Sequence, residues 1–169
     1  EVFADEDLSM IDQGKIISKI GKNVYVKVPV CNSKGKFTGK VIKELNQKGI
    51  KLNITAVYNI NQINKILKNI DKKTKVIISI FAGRMADAGK DPIPVFTNSI
   101  KMAKRYKNLD ILWASTREPY NYLQAKKLNC DIITVPPTII EKIQTFGKTY
   151  KELTLDTVRK FLVDSKKSK

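Results

Sequence analysis

Short apolar runs alternate with longer amphipathic runs six times along this chain of 169 residues. Each apolar run is rich in Val and Ile and has the length of a β-strand, and each amphipathic run has the apolar spacing of a helix. Strand followed by helix, repeated in this way, predicts parallel βαβ units and an α/β fold. The predicted strands cover residues 1–4, 24–30, 52–58, 75–81, 110–115 and 131–135, and the predicted helices cover residues 7–19, 40–48, 60–69, 95–106, 119–128, 138–144 and 154–166.

Local signals mark several helix ends. Asp5, Asn59, Glu118 and Thr154 precede or open helical runs, where a polar side chain can accept hydrogen bonds from the free N–H groups of the first turn. Gly49 follows a helical run, and glycine readily adopts the left-handed conformation that closes a helix. We expect these five residues to lie at helix boundaries.

Polar residues occur at internal positions of the predicted strands, namely Lys27, Asn53, Thr55, Ser79 and Ser115. A doubly wound sheet rarely places so many polar groups in mid-strand, whereas the strand ends and upper interior of a closed (β/α)8 barrel line its active site. A glycine-rich GxGxxG loop is missing, which argues against a nucleotide-binding sheet. The pattern therefore predicts a (β/α)8 TIM barrel.

The number of repeats is smaller than a complete barrel requires. Six β/α units are predicted, and the chain begins with Glu1 rather than Met. We expect residues 1–169 to form a single barrel domain that comprises the third to eighth strands and lacks the first two β/α units.

Lys27 lies in the middle of the run VYVKVPV at positions 24–30. The alternating valines share one face of this strand, and Lys27 lies on the other. A buried ammonium costs free energy unless it is paired or neutralised, so this lysine is either at a sheet edge or held for chemistry. Desolvation favours the neutral amine of a lysine, which forms Schiff bases with carbonyl compounds.

Two of the four arginines occur where a predicted strand opens into its loop. These are Arg84 and Arg117, the second beside Ser115. Together at the top of a barrel they would form a phosphate clamp. Taken singly, each arginine is equally compatible with a surface salt bridge, and Thr55 and Ser79 are compatible with buried hydroxyls bonded to backbone.

The net charge of +16 invites a nucleic-acid interpretation. However, arginine, which dominates base recognition, is scarce, the lysines are dispersed, and no basic motif with aromatic residues of the RNA-binding kind is present. We therefore expect no nucleic-acid partner, and a positive field that attracts anionic, phosphorylated substrates instead.

Histidine is absent, and the two cysteines, Cys31 and Cys130, lie far apart. Histidine-based catalysis is thereby excluded, and we expect no metal site. Two free thiols are typical of a reducing cytoplasm, where we expect the protein to act. No apolar run is long enough to span a bilayer, so no membrane partner is expected.

Four segments, taken in order, resemble the successive signatures of the transaldolase family. They are VYVKVPV at 24–30, GIKLNITAV at 49–57, FAGRMAD at 81–87 and WASTRE at 113–118. The resemblance extends from residue 1 to about residue 163 and is greater with the small, single-domain members. It implies a class I Schiff-base enzyme on a (β/α)8 barrel that needs no cofactor.

The resemblance also implies a role for each candidate residue. Lys27 matches the Schiff-base lysine, and Glu1 and Thr55 match the pair that binds a catalytic water and relays protons. Asn53 and Ser79 match contacts to substrate hydroxyls. The residues that match the phosphate site are Arg84, Ser115 and Arg117.

The implied reaction transfers a three-carbon dihydroxyacetone unit between sugar phosphates in the pentose phosphate pathway. A sibling activity, fructose-6-phosphate aldolase, releases dihydroxyacetone to water. The aldolases tend to carry Tyr where this chain has Phe81 and Gln where it has Glu1, so both positions resemble the transferase. The resemblance further implies a homo-oligomer that the C-terminal helix helps to build.

One departure from the family concerns the acid–base aspartate, which lies on the first barrel strand of family members. That strand, and a second strand with a substrate-binding asparagine, have no counterpart here. We therefore expect this polypeptide alone to be inactive or unstable and the parent protein to be active. A catalytically dead fragment remains the alternative.

Overall fold

The computed structural model describes residues 1–167 and divides into two compact units, Glu1–Val135 and a unit that begins at Pro136. The first unit contains α1 (Asp7–Ser18), β1 (Val26–Pro29), α2 (Gly39–Gln47), β2 (Leu52–Val57), α3 (Ile60–Leu67), β3 (Val76–Phe81), α4 (Ala82–Asp87), α5 (Ile93–Ala103), β4 (Leu109–Ala114), α6 (Tyr120–Lys127) and β5 (Ile132–Ile133). The second unit contains α7 (Pro137–Gln144) and α8 (Tyr150–Lys167).

The strands of the first unit form one parallel sheet in the chain order β1-β2-β3-β4-β5. One helix links each consecutive pair, except that α4 and α5 both lie between β3 and β4. Parallel neighbours require such crossovers, which confirms the α/β fold. The carboxyl ends of all the strands consequently meet at one edge of the sheet.

The two faces of the sheet differ in burial. Val26 and Val28 are fully buried on β1, and they align with the equally buried Leu52 and Ile54 on β2. Lys27 lies between the two valines, on the opposite face. The apolar face is covered by helices, with α1 against β1, α2 against β2 and α5 against β4. The other face is left with the polar residues.

Aromatic stacking anchors α5 to the sheet. The rings of Phe96 on α5 and Trp113 on β4 stack with their centroids 4.4 Å apart, and both side chains are fully buried. Aromatic side chains bury large apolar areas and contribute strongly to the stability of a core. The end of β4 is thereby fixed against the helix layer.

The strand predicted for residues 1–4 is not formed. The N–H of Val2 donates to the carbonyl of Lys27 at 3.0 Å. The N–H groups of Phe3 and Ala4 instead donate to Oε1 of Gln13, at 2.8 and 3.0 Å. A side chain of α1 thus takes the donors that a strand would give to its neighbour. The described sheet has five strands rather than six.

The last strand is shorter than predicted, because β5 comprises two residues of the expected 131–135. Pro136 and Pro137 follow closely, and proline has no N–H for a ladder. The short helix α4 was not predicted, since six residues carry too little periodicity to distinguish them from a loop.

Two of the predicted helix ends are confirmed. Asn59 caps α3 through a reciprocal pair, in which its side chain accepts from the N–H of Gln62 and the Gln62 side chain accepts from the N–H of Asn59. Gly49 follows α2 with φ of 74°, the left-handed conformation that glycine adopts without strain.

The other three predicted caps are wrong. Glu6 precedes α1, and the Asp5 carboxylate accepts instead from the N–H and hydroxyl of Ser33. Pro119 rather than Glu118 precedes α6. Thr154 lies inside α8 and donates to the carbonyl of Tyr150. In each case the helix begins at a different residue from the one that the local sequence pattern favoured.

Candidate active site

Lys27 and Glu1 form an ion pair on the polar face of the sheet. Lys27 Nζ lies 3.5 Å from Glu1 Oε2, and their side chains are 37% and 40% exposed. The backbone bond from Val2 to the Lys27 carbonyl holds the N-terminal segment beside β1, which brings the carboxylate to the amine. Lys27 therefore lies on a face that is open to solvent.

Asn53 and Ser79 extend this cluster along the sheet. Asn53 is the register partner of Lys27 on the adjacent strand. The hydroxyl of Ser79 on β3 donates to Oδ1 of Asn53 at 2.7 Å. This bond orients the amide, so that within residues 1–167 its NH₂ group is left to donate to a ligand near Lys27.

Thr55 is buried, and its hydroxyl has no hydrogen-bond partner among the described residues. The next residue, Ala56, has φ of 58°, and the register between β2 and β3 shifts between Ile54 and Val57. Buried hydroxyls normally find a partner, so the Thr55 hydroxyl, which is closed to solvent, retains an unused hydrogen-bonding capacity.

Phe81 ends β3 and lies between two other side chains. Its ring makes an edge contact with Tyr58, with centroids 6.0 Å apart. The guanidinium carbon of Arg84 lies 5.5 Å from the centre of the same ring. Such a cation–π contact restricts the orientation of the arginine, which is otherwise exposed.

Arg117 is held by an aspartate that the sequence did not single out. Its Nε and Nη2 donate to Oδ2 of Asp87 at 3.0 and 2.8 Å. This hydrogen bond and the charge of Asp87 raise the pKa of Arg117 above its ordinary value. The arginine thus forms a surface salt bridge, the alternative that the sequence left open.

Ser115 connects the two arginine-bearing segments. It follows β4 with φ of 63°, in the left-handed region. Its carbonyl and the side chain of Arg117 lie directly against Gly83 of α4. Since α4 also carries Arg84 and Asp87, this short helix contacts both parts of the predicted phosphate clamp.

The structure thus brings the candidate residues together in two groups. The first group is linked by ion pair, register and hydrogen bond, and contains Glu1, Lys27, Asn53 and Ser79. The second contains Arg84, Ser115 and Arg117 around α4. Asp87, Tyr58 and Gly83 were missed by the sequence analysis, because their roles depend on partners from other elements.

A cleft of about 310 Å³ lies beside the second group. Its lining includes Gly83, Asp87 and Arg117 but none of Lys27, Asn53 or Ser79. It also includes Trp113, whose side chain packs against α5. The cleft is therefore on the helix side of β4, behind α4, and does not enclose the amine of Lys27.

Comparison with known proteins decides the family. The profile of the family described as transaldolase/fructose-6-phosphate aldolase matches residues 1–169. The chain belongs to this family. The α/β fold with its parallel sheet is compatible with part of the barrel of the transaldolase family, and the resemblance that the four sequence segments indicated is confirmed.

Several relatives carry the name "Probable transaldolase". One from Nitrosopumilus maritimus is 33% identical over 145 residues, which are 85% of this chain and 62% of the relative. One from Methanococcus maripaludis is 28% identical over 165 residues, 97% of this chain and 71% of the relative. One from Myxococcus xanthus is 31% identical over 166 residues, 97% of this chain and 67% of the relative. The chain thus spans about two thirds of their length.

Within residues 1–167, this transaldolase-family chain has no helix that is both long enough and apolar enough to cross a bilayer.

Proposed function

We propose that this chain carries the Schiff-base site of a transaldolase. The enzyme would convert sedoheptulose 7-phosphate and glyceraldehyde 3-phosphate into erythrose 4-phosphate and fructose 6-phosphate, as part of the pentose phosphate pathway. The observation that carries the proposal is the pairing of Lys27 with Glu1 at 3.5 Å, beside an amide that Ser79 orients.

The chemistry follows from the nucleophilic amine. Unprotonated Lys27 adds to the ketone of the donor sugar phosphate, and loss of water gives an iminium. The iminium accepts the electron pair of the breaking carbon–carbon bond, so the aldose phosphate leaves and a three-carbon enamine stays bound. Addition of the acceptor aldehyde and hydrolysis of the new iminium release the product ketose and regenerate the amine.

Proton transfers accompany each step and need groups close to the amine. Glu1 is within 3.5 Å of Lys27 Nζ, which is suitable for accepting its proton directly or through one water. The Thr55 hydroxyl, which makes no hydrogen bond within residues 1–167, would hold that water. We propose that these two residues relay protons during formation and hydrolysis of the iminium.

Substrate binding is assigned to the remaining residues. We propose that Asn53 and Ser79 contact the sugar hydroxyls, and that Phe81 lines the site. Arg84 and Arg117, with Ser115, would hold the phosphate, since guanidinium groups bind phosphate through two parallel hydrogen bonds. Arg117 would then exchange its bond to Asp87 for one to the substrate.

A larger assembly is part of the same proposal. The five parallel strands would form the fourth to eighth strands of a (β/α)8 barrel, with residues 1–4 in the place of the third. The enzyme would act as a homo-oligomer in the cytoplasm, where the two free thiols Cys31 and Cys130 remain reduced.

The second candidate function is fructose-6-phosphate aldolase. A tyrosine hydroxyl in place of Phe81 would protonate the enamine and release dihydroxyacetone, whereas phenylalanine has no proton to give. Incubation of the full-length protein with fructose 6-phosphate alone distinguishes the two activities. Steady release of free dihydroxyacetone would favour the aldolase, and release that requires an acceptor aldehyde would favour the transaldolase.

Borohydride trapping tests the proposal itself. With fructose 6-phosphate present, reduction should attach one three-carbon unit to Lys27, detected by mass spectrometry of the peptide. Lys27→Ala should abolish both the adduct and turnover. Lys75→Ala is the matched control, because Lys75 is an exposed lysine just before β3. A wild-type protein that yields no adduct would refute the proposal.

A further inference from the structure

Gly83 occupies a position in α4 where no side chain fits. A Cβ atom built there would overlap the carbonyl oxygen of Ser115 and would lie 2.7 Å from Cγ of Arg117. Gly83 lies within a helix and has no left-handed φ, so its backbone conformation does not call for glycine. Space is the constraint, and the obstacle is backbone rather than a flexible side-chain end.

This contact joins the segments that carry the two arginines. Arg84 directly follows Gly83, and Arg117 lies two residues beyond Ser115. The segments are joined a second time by the bond from Arg117 to Asp87 of α4. The close approach of α4 to the end of β4 therefore holds together the two backbone segments that carry the guanidinium groups.

The conformation of Ser115 agrees with a contact of this kind. A left-handed conformation is unfavourable for a residue with a Cβ and persists where the surroundings enforce it. Here the chain turns sharply after β4 and places the Ser115 carbonyl against α4. The close approach thus depends both on Gly83 of α4 and on the turn at Ser115 after β4.

We propose that Gly83 is a positioning residue that sets the distance between Arg84 and Arg117, and hence the affinity of this site for a phosphate group. The phosphate belongs to a sugar substrate, and that part of the inference rests on the proposed function. Phosphate binding itself requires no Schiff base, so the two proposals can be tested separately.

The experiment compares Gly83→Ala with wild type in the full-length protein. Titration calorimetry with inorganic phosphate should show a dissociation constant raised about tenfold or more, since displaced guanidinium groups lose their paired hydrogen bonds. The yield of dihydroxyacetone trapped on Lys27 by borohydride, a reaction that involves no phosphate, should fall by a smaller factor than the phosphate affinity. If Gly83 served only the stability of the fold, the yield and the affinity would fall by the same factor.

Gly14→Ala is the matched control. Gly14 is also a helical glycine, but a Cβ there would meet only the end of the Leu45 side chain, at 2.6 Å. It lies on α1, away from the arginines, so its phosphate dissociation constant should stay within about twofold of wild type. A Gly83→Ala protein that binds phosphate as tightly as Gly14→Ala would overturn the inference.

The two proposals fail in different ways. Absence of a borohydride adduct in wild type refutes the proposed function, whatever phosphate binding shows. Absence of phosphate binding in wild type, with the adduct present, overturns the phosphate site and with it the role of Gly83, but leaves the Schiff-base proposal standing.

If Gly83→Ala does not fold, variants of the two arginines test the inference instead. Arg84→Ala and Arg117→Ala should each weaken phosphate binding, and the double variant should lose less than the product of the two factors. Such coupling is expected when both groups are held on one phosphate. Independent, multiplicative losses would overturn the inference.

Discussion

The ion pair of Lys27 and Glu1 contributes little to stability. Both side chains are more than a third exposed, and exposed ion pairs of this kind are worth about 0–1 kcal/mol. A weak pair is easily exchanged when a substrate carbonyl approaches the amine. The value of Glu1 therefore lies in its position next to Lys27.

Glu1→Ala separates the contribution of Glu1 to stability from its contribution to turnover. We expect the free energy of unfolding, measured by urea titration, to change by less than about 0.5 kcal/mol. Turnover of the full-length protein should fall by about 100-fold or more, the usual effect of losing a general base. Glu6→Ala is the control, because Glu6 forms an exposed pair with Lys34. Unchanged turnover in Glu1→Ala would remove Glu1 from the proton relay.

Cys130 lies between β4 and β5 and donates from Sγ to the carbonyl of Ile111 at 3.2 Å. Burial raises the pKa of the Cys130 thiol to about 11, from an ordinary value of 9.0. The folded protein thus holds this proton more tightly than the unfolded chain. The resulting stabilisation is complete below pH 9.0 and is lost as the pH rises towards about 11.

Alkylation measures this protection. At pH 8 the thiolate fraction of Cys130 should be about 100-fold lower in the folded than in the unfolded protein, since the two pKa values differ by about two units. Its reaction with iodoacetamide, followed by mass spectrometry of the peptide, should slow accordingly. The same peptide in denaturant is the reference. Equal rates in both conditions would contradict the buried environment.

Helix α3 is the element whose start depends most clearly on local sequence. Asn59 and Gln62 satisfy each other's backbone N–H groups, a capping box that needs no distant partner. In contrast, α1 and α6 have no side-chain cap at their first turns. Their starting points follow from packing, since buried residues such as Met10 and Ala125 hold them in place.

Asn59→Ala should therefore destabilise the protein by about 1 kcal/mol, because the cap hydrogen bond to Gln62 is lost. Urea unfolding followed by circular dichroism gives the free energy. Asn61→Ala is the matched control, since Asn61 is exposed within α3 and alanine has the higher helix propensity. That control should be neutral or slightly stabilising. A loss in both variants would show that the cap is not the cause.

The whole sheet is open at both sides within residues 1–167. On the side of β1 that faces away from β2, the described residues make one backbone hydrogen bond to the strand, from the N–H of Val2. At the other edge of the sheet, β5 comprises two residues. Parallel sheets are normally covered, and uncovered edges expose backbone groups that pair with other chains. A closed barrel would remove both edges.

The open edges of the sheet make self-association testable. We expect residues 1–169 to self-associate in size-exclusion chromatography, because both edges of the described sheet present backbone groups that can pair with another chain. Dilution should shift the elution volume towards that of the monomer. Elution as a monomer at every concentration would contradict open sheet edges.

The local sequence predicted what depends on neighbours along the chain. Periodicity, capping and backbone freedom act within a few residues. They predicted most helices, the Asn59 cap, the glycine at position 49 and the strands at 52–58, 75–81 and 110–115. The same patterns located Lys27, Asn53 and Ser79 on one face and indicated the family.

Only the tertiary structure decided which distant groups meet. Asp87 reaches Arg117 across 30 positions, and Gly83 lies against Ser115 because α4 directly follows β3, which pairs with β4. Residues 1–4 do not form a strand, because Phe3 and Ala4 donate their N–H groups to the Gln13 side chain on α1. Such pairings depend on register and helix packing over the whole sheet, which no short window of sequence contains.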